Sequence, residues 1–304
     1  MTTFLYGIGD TWLDCTTQLS QSAYNRLVHI PLGDCARCRL IGSDPVIGTK
    51  KVIKIIGVSN EVVLTENESA WIDLASGAIA TNPDCHDIDS IHQGYNLITG
   101  SKLDELPEQL MIARFLVGDE KVLELGGNIG RATAVIAEIQ RRAGLGGTLV
   151  TLETLSQEAE TLIALRDANG FKYDVVNAAL SEKRLVQNGW NTIVVPDDHI
   201  TQSPWADVST INFKDYISKF GYPTTVVADC EGALFNILRD TPELFRDVTK
   251  LLIENDFPTP DTAEWVWRFL RRNGFSPVYT EPLVGHMNAF PYTRDVFFQA
   301  WIKV

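Results

Sequence analysis

Acidic residues beside a glycine-rich turn are the first candidates for chemistry in this 304-residue sequence. The segment VLELGGNIG, residues 122–130, joins a short apolar run to Glu124 and to three glycines. A strand-to-helix turn of this kind lets a ligand approach the backbone and offers it helix N-terminal amides. The spacing matches neither the dinucleotide pattern GxGxxG nor the phosphate loop GxxxxGK[ST]. A carboxylate at Glu124 would repel a pyrophosphate and attract a positively charged ligand.

A second acid ends the next apolar run, in the sequence LVTLE, where Thr154 follows Glu153. In dinucleotide folds an acid at the end of the second strand accepts hydrogen bonds from ribose hydroxyls. A ligand with a ribose and a positive charge, but without a phosphate, satisfies both Glu124 and Glu153. The sequence therefore predicts S-adenosylmethionine as cofactor, and the alternative is a glycine turn with a helix-capping acid.

Two further acids, Asp229 and Glu231, follow the apolar run TTVVA. An unpaired buried acid is costly, so acids directly after a core strand indicate a catalytic or capping role. We predict that both act in catalysis together with His286, because a weak nucleophile such as a hydroxyl gains from a general base. Two alternatives stay open: Glu231 caps the helix that begins near Ala233, and His286 is a solvated loop residue.

A metal ion is a second way to activate a hydroxyl. Asp229, Glu254 and Asp256 supply the oxygen ligands that Mg²⁺ prefers, so Mg²⁺ is kept as an optional cofactor with no residue assigned as its ligand. Cys35 and Cys38 form half of a zinc site, but the distant Cys85 and His86 would have to complete it. Packing as small apolar side chains is the favoured role of these cysteines.

Strands and helices alternate after about residue 106. The sequence predicts strands at VLEL, GTLVTLE, YDVVNAALS, TTVVADCEG and KLLIEND, and helices that include RATAVIAEIQRRA and SQEAETLIALRDANG. This alternation indicates a doubly wound, mostly parallel α/β sheet, in which ligands bind beyond the carboxyl ends of the strands. The long segment 182–216 is expected to be irregular and to form a lid or a wall of the substrate site.

The first part of the chain differs in composition from the rest. Residues 1–100 carry short runs rich in Val and Ile between turn residues, which predicts a smaller, mostly β N-terminal domain. We expect this domain to position an acceptor or to form a homodimer contact. Residues 101–304 are expected to form the catalytic domain.

The charge and the apolar pattern exclude several classes of partner. The formal net charge is −13 and no basic stripe offsets it, which argues against nucleic acid and against an anionic membrane surface. No apolar run reaches the roughly 18 residues of a transmembrane helix, and the N-terminus lacks the features of a signal peptide. Five cysteines, an odd number, give no disulfide framework, so we expect a cytoplasmic setting.

The segments VLELGGNIG, LVTLE, NAALS, VVADCEGALFNIL and LLIEND together resemble the FkbM-type methyltransferases. The resemblance covers roughly residues 105–304 and implies a Rossmann-like, seven-stranded methyltransferase sheet and S-adenosylmethionine-dependent O-methylation, often of sugars. Cys230 replaces the apolar residue usual between the two acids, and Leu234 replaces an acid that often follows. Any function that needs this third acid is therefore in question.

Carried over to this sequence, the resemblance implies a division of the cofactor site. Glu124 and the glycine turn would line the methionine part, Glu153 would hold the ribose, and Ala178 and Ala179 would lie near the adenine. Asp229 and Glu231 would lie beside the methyl group. The predicted cofactor-binding set is Glu124, Gly126, Gly127, Asn128, Gly130, Glu153, Thr154, Ala178, Ala179 and Asp229.

The acceptor is less well defined than the donor. The main prediction is an O-methyltransferase whose partner is a sugar or glycan. An enzyme of the same fold could instead act on a peptide, a lipid or another non-sugar small molecule. A binding or structural protein with an inactive cofactor site is the third alternative.

Overall fold

The computed structural model describes residues 2–58, 60–80, 86–284 and 290–303. The strands are β1 (Thr3–Ile8), β2 (Thr11–Asp14), β3 (Leu27–Ile30), β4 (Val52–Ile56), β5 (Glu61–Leu64), β6 (Ala70–Asp73), β7 (Lys121–Leu125), β8 (Thr148–Leu152), β9 (Asp174–Val176), β10 (Ala179–Leu180), β11 (Leu185–Asn188), β12 (Asn191–Val194), β13 (Ala206–Val208), β14 (Thr210–Ile211), β15 (Thr225–Ala228), β16 (Lys250–Glu254), β17 (Phe275–Glu281) and β18 (Phe298–Lys303).

The helices fall between these strands. They are α1 (Thr16–Gln21), α2 (Asp34–Ile41), α3 (Ile88–Gln93), α4 (Leu106–Phe115), α5 (Arg131–Ala143), α6 (Ser156–Asn169), α7 (Phe213–Phe220), α8 (Ala233–Asp240) and α9 (Pro260–Arg272). Short 3₁₀ turns span Pro242–Phe245 and Arg294–Val296. None of the described helices is long and apolar enough to cross a membrane.

A seven-stranded sheet carries the predicted site, with strand order β17-β18-β16-β15-β7-β8-β9. Strands β16, β15, β7, β8 and β9 are parallel to one another, whereas β17 and β18 pair antiparallel. Every residue of β15 is buried, as expected for a strand covered on both faces. The predicted Rossmann-like, mostly parallel α/β sheet of seven strands is confirmed.

Helix α5 shows how the local sequence sets the glycine turn. It begins directly after Gly130, which has φ +95°, and ends at Gly144, which has φ +62° and a left-handed conformation. Both are conformations that glycine adopts without the Cβ penalty of other residues. Between these ends, an unbroken run from Ala132 to Gln140 is buried. The predicted bounds of this helix, residues 131–143, are therefore the observed ones.

The segment between β10 and β14 is more regular than predicted. Strands β11, β12 and β13 form a small antiparallel sheet in which β11 pairs with both neighbours. Asn188 pairs with Asn191, so a two-residue turn, Gly189 and Trp190, joins β11 to β12. Glycine at the first position of a two-residue loop, between two runs with β-branched residues, is a hairpin signal, and the expectation of an irregular segment overlooked it.

The chain divides into two compact units, residues 1–83 with 269–304, and residues 84–268. In the first unit, strands β2, β1, β4 and β5 form an antiparallel sheet, and β3 pairs with β6. Its core includes Phe4, Tyr6 and Ile53, which are fully buried. The division at residue 100 into an acceptor-positioning domain and a catalytic domain remains a prediction.

The cysteines of the first unit differ from one another in environment. Cys15 is buried, Cys38 is half-buried and Cys35 is exposed. The Cys38 Sγ and the Tyr6 hydroxyl share a hydrogen bond of 3.0 Å. The expectation that Cys35 and Cys38 pack as small apolar side chains is therefore wrong for Cys35, and Cys38 is only half-buried. Cys85, the third residue of the zinc alternative, lies outside the described residues.

Candidate functional site

The glycine turn after β7 is held against two neighbouring strands. The amides of Gly126 and Gly127 both donate to the carbonyl oxygen of Leu152, at 3.0 and 3.1 Å. Gly126 has φ +89°, and a Cβ added to it would overlap the carbonyl oxygen of Asp229. A Cβ on Gly130 would overlap the side chain of Leu165. The turn therefore needs glycine for close approach as well as for its backbone angles.

Glu124 lies in β7 directly beneath this turn and is only 1% exposed. Its Oε2 accepts a hydrogen bond from the Thr133 hydroxyl at 2.7 Å, and its Oε1 is buried without a partner. Burial raises the pKa of Glu124 to about 7, although the neighbouring hydroxyls of Thr151 and Thr133 favour the ionised form. A positive charge near this carboxylate would stabilise it.

Glu153 connects the turn to the start of α6. Its Oε2 accepts a hydrogen bond from the backbone amide of Asn128 at 2.8 Å, and its Oε1 accepts one from the amide of Leu155 at 2.8 Å. Asn177, after β9, donates to the carbonyl oxygens of Glu153 and Thr154 at 2.8 and 3.0 Å. This network holds the Glu153 carboxylate at the carboxyl edge of the sheet, because its partners follow three neighbouring strands, β7, β8 and β9.

The acids after β15 lie on a strained turn. Asp229 follows the last residue of the strand, Glu231 has φ +52°, and Gly232 has φ +81°. Glu231 is exposed, whereas Asp229 is half-buried. Helix α8 begins after Gly232 without a side-chain cap, so the alternative in which Glu231 caps this helix is not observed. The turn separates two acids that would have shared one face of a strand.

Further acids surround Asp229. Oxygens of Glu108, Asp229 and Glu254 all lie within 4.8 Å of one another. Glu108 projects from α4, which packs against β16, and Glu254 is the last residue of β16. Burial, followed by the charge of Asp229, raises the pKa of Glu254 to about 10. Burial also raises the pKa of Asp229, and the charge of Asp256 is the next cause.

Asp256 lies beside this cluster and is 5% exposed, with an Oδ2 that has no hydrogen-bond partner. Burial raises the pKa of Asp256 to about 7, even though the Gly232 amide donates to its carboxylate. Like charges this close disfavour ionisation of one another, so the acids share protons unless a cation offsets them. A cation next to Asp229 would therefore be held strongly.

A cavity of about 590 Å³ opens beside these residues. Of the predicted site, Gly126, Asn128, Glu153, Thr154, Ala178, Ala179, Asp229 and Glu231 line it. The hairpin of β11 and β12 forms another part of its wall, including Gln187, Trp190 and Thr192. The cavity thus reaches from the glycine turn, past the acids after β15, to the hairpin.

The remaining predicted residues are placed differently. Glu124 lies buried under the turn rather than in the cavity wall, and Gly127 and Gly130 serve the packing of the turn against Thr151 and Leu165. The candidate His286 lies outside the described residues. Of the acids considered for Mg²⁺, the structure groups Asp229 and Glu254 with Glu108 instead of Asp256.

Sequence reasoning missed Glu108 and the hairpin of β11 and β12, but it expects the segment 182–216 at a wall of the substrate site, and residues of that segment, Trp190 among them, do line the cavity. Glu108 stands in a helix whose residues from 108 to 115 are all buried except Leu110, and an acid within such a stretch is the available signal. The Gly189–Trp190 pair, a glycine-first loop between two short runs, would have placed Trp190 on a tight turn. Neither signal says that these residues meet the glycine turn, because strand order and helix packing bring them there.

No protein-family model matches the sequence, and no curated protein matches it. Solved structures with a similar chain path include the fibrillarin–Nop5p complex, at 15% identity, with 67% of this chain and 82% of that chain covered and a TM-score of 0.42. Fibrillarin from Aeropyrum pernix, with natively bound S-adenosyl-L-methionine, is 10% identical, with coverages of 80% and 93% and a TM-score of 0.40.

A third similar structure is the fibrillarin pre-rRNA processing protein of Methanococcus jannaschii. It is 11% identical, with 84% of this chain and 95% of that chain covered and a TM-score of 0.41. Identities and TM-scores of this size do not tell what this chain binds or modifies.

Proposed function

We propose that this protein is an S-adenosylmethionine-dependent methyltransferase that methylates a hydroxyl of a sugar or glycan, as its resemblance to FkbM-type enzymes implies. The observation that supports it most is the cavity that Gly126, Glu153 and Asp229 line together. A donor site and a set of candidate bases thus meet in one space. The cofactor, its acceptor and the O-methylation are all parts of the proposal.

The charge of the site favours this cofactor over a phosphate-bearing one. Glu124 has an oxygen without a partner beneath the glycine turn, and Asp229 lies beside Gly126 with other carboxylates behind it. The ammonium and sulfonium groups of S-adenosylmethionine would offset these charges, whereas a pyrophosphate would add to them. Glu153 keeps lone pairs for ribose hydroxyls, because each of its oxygens takes one main-chain amide.

The acids after β15 suit the removal of a proton from an acceptor hydroxyl. When bound, the cofactor supplies a methyl group on its sulfonium, and the rest of the cofactor is the leaving group, a neutral thioether. Asp229 would accept the hydroxyl proton, and its raised pKa makes it a stronger base than an ordinary carboxylate. Glu231, exposed at the same edge, would orient the acceptor by accepting hydrogen bonds from its other hydroxyls.

A divalent cation fits the same acids. Glu108, Asp229 and Glu254 offer three carboxylate oxygens at the mutual distances found around one ion, and oxygen is the ligand that Mg²⁺ prefers. As an alternative to Asp229 acting as the base, these residues would hold it, and the ion would lower the pKa of a bound hydroxyl.

Transfer of labelled methyl from S-adenosylmethionine to a panel of acceptors tests the proposal. The panel contains neutral oligosaccharides, amine-bearing saccharides, phenols, lipids, peptides and RNA. Methylation of saccharides by the wild type, lost in Asp229→Asn, is the expected result. Transfer only to RNA, a lipid, a peptide or a phenol would contradict the sugar acceptor. Binding of the cofactor without transfer to any of them would favour an inactive, binding or structural protein.

A further inference from the structure

The wall of the cavity includes strand β12 along its whole length. Each residue of β12 lines the cavity, whereas the neighbouring β11 contributes only Leu185 and Gln187, which lie on one face of the hairpin. Because the side chains of a strand alternate between its two faces, the cavity covers one face of the hairpin and reaches round the edge of β12. This edge is free in the described part of the chain, since β12 is an outer strand of the sheet β12-β11-β13.

The register of the hairpin shows which main-chain groups point out from this edge. The amide of Val195, directly after β12, donates to the carbonyl oxygen of Arg184 at 3.0 Å. In an antiparallel ladder, residues whose main-chain groups face the partner strand alternate with residues whose groups face away. The N–H and C=O groups of Thr192 and Val194 therefore point away from β11. No residue that the structure describes forms a hydrogen bond with these groups.

The side chains of β12 do not protect this edge from pairing. Free edge strands in natural proteins are commonly protected by a charged side chain, a proline or a bulge. The four residues of β12 read Asn-Thr-Ile-Val and pair with β11 without a bulge, so all three protections are missing there. Ile193 and Val194 are each 42% exposed, and Trp190, on the turn, is 55% exposed. Unpaired main-chain groups beside exposed apolar side chains are the features that an added strand covers.

The charge of the cavity narrows the kind of strand that fits. Among the residues described, no lysine, arginine or histidine lines the cavity, whereas the lining acids are Glu105, Glu153, Glu182, Asp229, Glu231 and Asp240. Lys183 and Arg184, directly before β11, each pair with an aspartate at 2.7 Å. A second copy of this chain, whose net charge is −13, would bring like charges together at this edge. A basic segment of another molecule is complementary to it.

We infer that the free edge of β12 binds an extended, basic peptide segment as an added β-strand. Main-chain groups of alternate peptide residues pair with the N–H and C=O groups of Thr192 and Val194. Lysine or arginine side chains of the peptide face the acids of the wall. The pairing goes beyond the proposed function and does not depend on it. Only one further step rests on the proposed function: the peptide then carries the saccharide whose hydroxyl reaches Asp229.

Three matched peptides test the pairing by calorimetry without the cofactor. They are the end-blocked peptide Lys-Val-Thr-Val-Thr-Lys, the same peptide N-methylated at alternate residues, and the same peptide N-methylated at every residue. Alternate N-methylation leaves the N–H groups of one edge, so this peptide should bind within about threefold of the first, whereas full N-methylation should weaken binding by about tenfold or more. The inference is overturned if the first peptide does not bind, if alternate N-methylation abolishes binding, or if full N-methylation leaves it unchanged.

An acidic version of the peptide, with glutamate in place of both lysines, tests the charge of the wall. It should bind about tenfold more weakly than the basic peptide at low salt, and the difference should shrink as salt rises. Equal affinities of the two peptides at low salt would contradict a basic partner.

Two variants at one position locate the peptide on β12. Thr192→Pro removes an N–H that points away from β11, and an edge strand tolerates proline where its N–H faces outward. Thr192→Val changes the same side chain and keeps the N–H. We expect about tenfold weaker peptide binding by Thr192→Pro and, within about twofold, unchanged binding by Thr192→Val. Equal affinities of the two variants would contradict pairing at this edge. If Thr192→Pro lowers the Tm, the N-methylated peptides on the wild type decide the question.

Two further measurements separate this inference from its alternatives. Sedimentation of the wild type and of Thr192→Pro tests for a second copy: a wild-type dimer that the substitution dissociates would assign the edge to another copy of this chain and overturn the inference. Binding of S-adenosylmethionine, measured separately, reports on the proposed function. Binding of the cofactor without the peptide would refute only the inference, and binding of the peptide without the cofactor only the proposed function.

Discussion

Gly126 lies so close to Asp229 that a Cβ on the glycine would overlap the main-chain carbonyl oxygen of the aspartate. The two residues belong to the turns after β7 and β15, which are neighbouring parallel strands. Their contact places the glycine turn beside the acids of the other strand at the carboxyl edge of the sheet. In the proposed function, this is where the donor and the base meet.

Replacement of Gly126 by alanine is expected to disrupt both turns. The new Cβ would meet the Asp229 carbonyl, and φ +89° is strained for any residue other than glycine. We expect a loss of unfolding free energy of more than the roughly 1–3 kcal/mol of backbone strain alone, together with loss of cofactor binding. Urea unfolding and calorimetry measure the two effects.

Gly170→Ala is the matched control for this substitution. Gly170 also has a positive φ, +65°, but nothing lies within 4 Å of a Cβ added there. This variant should therefore show backbone strain without a clash, at about 1–2 kcal/mol, and keep its cofactor affinity. Equal losses in the two variants would mean that the close approach of Gly126 to Asp229 is not important.

Glu124→Gln is expected to stabilise the free protein at alkaline pH and to weaken the binding of the cofactor. Because the pKa of Glu124 rises from about 4.5 to about 7 on folding, the folded chain binds more protons between these values. Wild-type stability should therefore fall as pH rises through that window, by about 3 kcal/mol. The glutamine has no such titration, so urea unfolding at pH 5 and pH 8 should give a smaller difference.

Adenosine separates the charge effect in Glu124→Gln from damage to the fold. It shares the ribose and adenine of S-adenosylmethionine but lacks the ammonium and the sulfonium. We expect the variant to lose about tenfold in affinity for S-adenosylmethionine and to bind adenosine as the wild type does. Equal weakening for both ligands would contradict an electrostatic contribution of Glu124.

Asp229→Asn is expected to lower kcat by about 10²- to 10⁴-fold, because the asparagine cannot accept the acceptor proton. The wild-type rate should increase with pH as the Asp229 carboxyl, whose pKa is raised, loses its proton. Asp197→Asn changes an exposed acid outside the cavity and serves as control. If Asp229→Asn has the same kcat and the same pH dependence of kcat as the wild type, Asp229 is not the base.

Glu108→Gln tests whether the buried acids hold a cation. The substitution removes one of three mutually repelling carboxylates, so without metal the variant should be more stable than the wild type at pH 8. Millimolar Mg²⁺ should raise the Tm of the wild type by a few degrees and leave that of Glu108→Gln unchanged. If the wild type has the same Tm in EDTA as in Mg²⁺, these acids share protons instead of binding the cation.

The local sequence predicts much of the large sheet, and it places the segment 182–216 at a wall of the site but does not predict the hairpin within it. Helix α5 has the predicted bounds because glycines at both ends and an apolar stripe are local signals. The meeting of Glu108 with Glu254 depends on the packing of α4 against β16, and no spacing in the sequence reports such a contact. Trp190 reaches the cavity through a hairpin whose position the strand order decides.

Calorimetric titration of the wild-type protein with S-adenosylmethionine at pH 8, with NAD⁺ as the comparison ligand, tests the central claim most directly. The account predicts one S-adenosylmethionine site per chain and no heat from NAD⁺, because the acids around the glycine turn attract the sulfonium and the ammonium but repel the pyrophosphate. Binding of NAD⁺ with equal or higher affinity, or no binding of S-adenosylmethionine by the folded protein, would contradict it.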